Sequence, residues 1–119
     1  MSFAANALIA LVAVLHGWYL VLEMFLWDKP AGLRAFGQSL EKARASKVLA
    51  ANQGLYNGFL AAGLAWGLWL GGAGFGVKTF FLACVVIAGV FGAVTASRKI
   101  LFVQALPAAV ALALLWAAR

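Results

Sequence analysis

The chain has 119 residues, 66% of them hydrophobic and 10% charged, with a mean hydropathy of +1.02. A water-soluble domain of this size could not hide so much apolar surface in its own core, so the composition calls for a lipid bilayer as solvent. The formal charge of +6 sits beside apolar runs instead of interleaving with aromatics, which argues against a nucleic-acid partner and for topology signals and contacts with anionic membrane lipid.

The first apolar run extends from about Phe3 to Trp27 and ends at Asp28-Lys29-Pro30, where charge and proline mark the exit from hydrocarbon. It has no Lys or Arg before it and continues through Leu22 to Trp27 with no A-x-A cleavage pattern ahead of a mature domain, so it is expected to be a retained helix and not a signal peptide. The connection from Ala31 to Lys47 places Leu33, Phe36, Leu40 and Ala43 near one helical face, with Arg34, Gln38, Lys42 and Arg44 largely off it. It could lie in the head-group region, extend the second span, or do some of both.

Span two runs from about 48 to 70, span three from about 78 to 97 and span four from about 100 to 118, the last two forming a tight hairpin around Arg98-Lys99. Backbone groups in lipid must be satisfied within each segment, and no run shows the alternation of a barrel strand. The expected fold is therefore all-α, a single domain over residues 1–119 built as an integral membrane four-helix antiparallel bundle. Seven basic residues, Lys29, Arg34, Lys42, Arg44, Lys47, Arg98 and Lys99, flank one side, against Lys78 and Arg119 on the other. The excess places both basic connections in the cytoplasm and both termini outside it.

The glycine-rich stretch Gly71 to Gly76 reads as a turn between helices, because Val77 separates Gly76 from Lys78 where a phosphate loop needs Gly next to Lys. Gly54 with Gly58, and Gly63 with Gly67 and Gly71, stand four apart and allow close helix approach, either within one subunit or in a homo-oligomer.

Function should lie in the polar groups that lipid disfavours. His16 and Glu23 differ by about 20° around an ideal helix and lie about 10 Å apart along it, with Tyr19 between them and Trp27 on the same stripe. They could form a proton-conducting ladder, or His16 could simply be a satisfied interhelical group. Glu23 needs a partner, and Asn52, Gln53, Tyr56 and Asn57 of span two stand at nearly its depth, as do Arg98 and Gln104 of the last hairpin. These groups outline a polar pocket in the cytoplasmic half, open to a small polar or amphipathic ligand, or a structural network that sets helix register. Lone Pro107 should bend span four at this level. One histidine, one cysteine (Cys84, a packing residue) and three acidic residues give no metal constellation, and no cofactor is expected. No serine, threonine or cysteine has a base at helical spacing on its own span, so a hydrolytic triad is not expected.

The segments Leu22 to Trp27, Asn52 to Gly63 and Gln104 to Ala108 resemble the bacterial membrane family known as domain of unknown function 1304, along nearly the whole chain. The resemblance implies a four-helix inner-membrane protein, and its motifs carry His16, Glu23, Asn52, Gln53, Tyr56, Asn57, Gln104 and Pro107. A looser resemblance is to the trimeric glutathione-using membrane enzymes. Their second helix carries an Arg, Asn, Glu, Asn pattern, whereas Asn52, Tyr56 and Asn57 here have no glutamate between them. The leading expectation is a non-enzymatic, self-associating bundle that binds a small polar or amphipathic molecule through Glu23, Asn52, Tyr56, Asn57 and Gln104 and could carry it across. The alternatives are a membrane enzyme using Glu23 or Tyr56 on a lipid-soluble substrate, and a structural partner protein.

Overall fold

The computed structural model describes residues 2–119, with side chains from residue 3 onward. The described residues are mostly helical and contain no strand: α1 (Ser2–Met24), α2 (Pro30–Phe36), α3 (Leu40–Ala45), α4 (Lys47–Leu70), a 3-10 turn (Gly71–Gly74), α5 (Phe75–Thr95), a π turn (Leu101–Ala105) and α6 (Leu106–Ala117). Two helical stretches, Phe3–Met24 and Lys47–Thr95, are long and apolar enough to cross a membrane, and Leu101–Ala117 is a shorter apolar helix. Large apolar side chains are exposed along these helices, among them Trp69, Phe80, Ile87, Phe91 and Val94.

The helix ends differ from the sequence expectation for local reasons. α1 stops at Met24 and not at Trp27, because Leu26 N–H donates to Val21 O, five residues back, and Leu26 O then accepts from Lys29 N. Lys29 is extended, as the residue before a proline must be, and Pro30 starts α2 at the position where its missing N–H costs nothing. α5 begins at Phe75, so Lys78 lies inside the helix and is buried, where an edge position was expected. Pro107 enters α6 directly after the π turn, whose wider hydrogen-bond ring, Leu106 N to Leu101 O, absorbs the proline.

The chain forms two compact units. The first comprises 1–14 and 60–119; its core is Ile9, Val12, Leu64, Leu82, Val85, Ala108, Ala111 and Leu115. Its α5–α6 hairpin is held close because Gly89 faces Ala105, where a Cβ would come within 2.7 Å of the neighbouring backbone nitrogen. Gly63 and Gly67 likewise accommodate Phe81 and Lys78 of α5.

The second unit, Leu15–Phe59, folds the end of α1 antiparallel to the start of α4. Gly54 and Gly58 face Leu20, Glu23 and Met24; a Cβ on Gly54 would fall 3.1 Å from Glu23 Cβ and 3.2 Å from Leu20 O. The connection consists of two short helices, α2 and α3, ahead of α4. Gly37, in the left-handed region at φ 58, ends α2, and Ser39 caps α3 by accepting from Lys42 N. Phe36 turns its ring against Trp27 at 4.8 Å, Ala43 is buried, Leu33 is half-buried and Leu40 exposed.

Candidate functional site

A single acidic residue, Glu23, is buried in the Leu15–Phe59 unit, and its position follows from helix geometry on both sides of the contact. On α4 the residues Ala50, Gln53, Gly54 and Asn57 share one face at helical spacing. The small Gly54 lets that face come close enough to α1 for a short amide to reach a carboxylate. Asn57 Nδ2 donates to Glu23 Oε1 at 2.5 Å, and both residues are 8% exposed. A carboxylate held away from water needs such a donor, because leaving it unsatisfied would cost on the order of 1–3 kcal/mol or more.

Beside this pair is a cavity of about 200 Å³ lined by Glu23, Trp27, Ser46, Leu49, Ala50 and Gln53. Its wall is pinned by hydrogen bonds. Trp27 Nε1 donates to Ser46 Oγ at 3.2 Å, and Ser46 Oγ in turn donates to Lys42 O at 2.9 Å. One residue further along in both segments, Lys47 Nζ pairs with Asp28 Oδ2 at 3.1 Å. The Lys47 ammonium holds the Asp28 carboxyl below the usual carboxylate range, chiefly by hydrogen bonding and further by its charge. The polar carboxylate end and the indole and Leu49 walls make the cavity amphipathic.

Of the residues singled out from sequence, Glu23, Asn57 and Gln53 meet at this place. His16 is fully buried about two turns earlier on α1, with the Tyr19 ring at 5.1 Å in an edge-on arrangement. Asn52 and Tyr56 sit off the Asn57 face of α4 and are exposed, the Tyr56 ring lying 6.0 Å from Phe59. Arg98 and Gln104 belong to the other compact unit; Arg98 is exposed and Gln104 lies half-buried in the π turn. The bond from Trp27 to Ser46 is not among the sequence expectations. Its signal is the spacing, since each of Trp27 and Asp28 finds its partner 19 residues later, and a short reversal of chain direction brings such positions together. Among the described residues no group of three or more His, Cys, Asp or Glu side chains is placed to hold a metal ion.

An all-helical chain with long apolar helices and one buried carboxylate–amide pair is the class that these features define. The chain belongs to the family described as "Protein of unknown function (DUF1304)", whose model matches residues 10–116. It is similar to a protein of Lactococcus lactis subsp. lactis named "Uncharacterized protein YpaA", with 28% identity over 106 residues, covering 87% of this chain and 89% of the relative. No solved structure matches.

Proposed function

We propose that this chain is a multi-pass inner-membrane protein that binds a small amphipathic molecule in the cavity beside Glu23, with its polar end at the carboxylate and its apolar end against Trp27 and Leu49. The observation that carries the proposal is the buried Asn57–Glu23 hydrogen bond at the wall of that cavity. An amide that engages one carboxylate oxygen orients the group and leaves the other available to a guest. The adjacent indole favours a cationic head, so an amine is the expected polar end.

The membrane setting is supported by the two long apolar helices and by exposed Trp69, Ile87, Phe91 and Val94, side chains that lipid accommodates and water does not. The basic residues of the 28–47 connection and of Arg98-Lys99 support a cytoplasmic location for both, with the termini on the opposite side and the helices arranged as four antiparallel spans. The glycine-lined faces support close packing in such a bundle. Release of the guest to the other side of the membrane would make the protein a carrier.

The test is tryptophan quenching in lipid nanodiscs with three probes of equal chain length: octylamine, octanoate and octanol. Octylamine is expected to bind at least tenfold more tightly than the other two and to lose that preference in Glu23→Gln. Equal affinities for all three, unmoved by the substitution, refute the reading. Uptake of octylamine into protein-containing vesicles then reports transport.

A further inference from the structure

The unit formed by 1–14 and 60–119 contains a second polar cavity, of about 410 Å³, whose wall includes Asn6, Gly71, Phe75, Lys78, Leu115 and Arg119. Lys78 is 4% exposed, and the acceptors its ammonium meets among the described residues are neutral: Asn6 Oδ1 at 3.0 Å and Gly71 O at 3.3 Å. An ammonium has three donors, and these two bonds use two of them. The three acidic residues of the chain, Glu23, Asp28 and Glu41, all fall within the other compact unit, so no side-chain carboxylate of its own unit can pair with Lys78. Close packing holds Lys78 in place, since Gly67 makes room for its stem: a Cβ at Gly67 would stand 2.8 Å from Lys78 Cγ.

A second cation lines the same cavity. The Arg119 guanidinium lies 4.6 Å from the centre of the Phe75 ring and 5.4 Å from that of Trp116, and these two rings are themselves in contact at 5.0 Å. Arg119 is exposed, and contact with the two aromatic rings favours keeping its guanidinium at this rim of the cavity. The cavity thus combines a buried ammonium, a positioned guanidinium and an amide with apolar walls from Phe75 and Leu115. Burying a cation against neutral oxygens alone is costly, and a bound anion would offset that cost.

We infer that this cavity is a binding site for a phosphate-bearing amphipathic anion, with the phosphate between Lys78 and Arg119 and the attached carbon chain against Phe75 and Leu115. The chemistry is shared by an anionic phospholipid head group and by a soluble phosphate ester. The lipid source rests on the membrane reading given above, whereas the anion site itself does not depend on the Glu23 cavity.

The test uses the full chain purified in dodecyl maltoside. Binding of phosphatidylglycerol and of phosphatidylcholine is measured by native mass spectrometry, and binding of glycerol 3-phosphate and of inorganic phosphate by calorimetry. The expected result is one phosphatidylglycerol per chain, favoured over phosphatidylcholine at least tenfold. That preference should be lost in Lys78→Gln and reduced severalfold in Arg119→Gln, while octylamine binding at the Glu23 cavity is unchanged. Comparable binding of glycerol 3-phosphate, equally sensitive to Lys78→Gln, also supports the site and assigns it to a soluble ester. Should Lys78→Gln fail to fold, Arg119→Gln and Leu115→Trp, which fills the cavity from its apolar wall, provide the same comparison. Equal retention of both lipids with no phosphate binding overturns the inference, as does anion binding that none of the three substitutions weakens.

Discussion

Glu23 and Asn57, 34 residues apart in the chain, share a hydrogen bond in which the amide nitrogen donates to a carboxylate oxygen and both groups are buried. The two substitutions that test this pair differ in what they leave behind. Asn57→Leu removes the donor and strands a buried carboxyl, and it is expected to cost about 1–3 kcal/mol. Glu23→Gln keeps an oxygen acceptor in the same place and is expected to cost under about 1 kcal/mol. Reversible unfolding in mixed micelles ranks the two; a Glu23→Gln protein as unstable as Asn57→Leu would contradict the geometry.

Close approach at Gly54 is a separate requirement for that bond. Gly54→Val would drive a Cβ into Met24 Cγ and to within 3.2 Å of Leu20 O, so a loss of about 1–3 kcal/mol is expected from overpacking. At Gly17 an added methyl would meet nothing within 4 Å, and Gly17→Ala should instead gain up to about 1 kcal/mol through helix propensity. The same unfolding measurement reads both, and opposite signs are the expected outcome.

Gly37 has a positive φ of 58°, and a Cβ placed there would stand in open space. Gly37→Ala therefore tests backbone conformation alone, and a cost of about 1–2 kcal/mol is expected, with Gly37→Asn milder because Asn tolerates this region. Proteolysis within 36–40 should rise in the order Gly, Asn, Ala. An alanine variant as resistant as the parent would show that the α2–α3 corner does not need this conformation.

The Asp28–Lys47 pair makes a pH prediction whose sign follows from the direction of the shift. The folded-state carboxyl of Asp28 is held below its ordinary value of 3.8, so its stabilising contribution is complete above that value and is lost as pH falls through the lower folded one. The effect should be confined to acid below about pH 4 and be weakened by salt, since the Lys47 end is exposed. Titration of the Asp28 side-chain carbon by NMR should move back toward the ordinary value in Lys47→Met; an unchanged midpoint would remove Lys47 as the cause.

Helix positions are legible in the sequence because they depend on local chemistry. Runs of apolar residues interrupted by Asp28-Lys29-Pro30, by the glycines from Gly71 and by Arg98-Lys99 leave few other arrangements, and the structure moves the ends by only a few residues. The carboxyl most in need of a partner is also legible, since Glu23 stands alone among apolar neighbours on α1. Its depth does not distinguish Asn57 from Asn52 or Tyr56, which lie within five residues of one another on α4.

What the sequence by itself determined was therefore an all-helical chain with long apolar helices and an out-of-place carboxylate. Only the tertiary structure decided that Asn57 meets it, that Asn52 and Tyr56 face outward, and that Lys78 is buried against Asn6 instead of marking a helix edge. The physical reason is rotational. A helix that is apolar on every side carries no stripe to say which face turns inward, so its rotation is set by where glycines let another backbone approach. At Gly54 that approach selects Asn57; at Gly67 it admits the stem of Lys78.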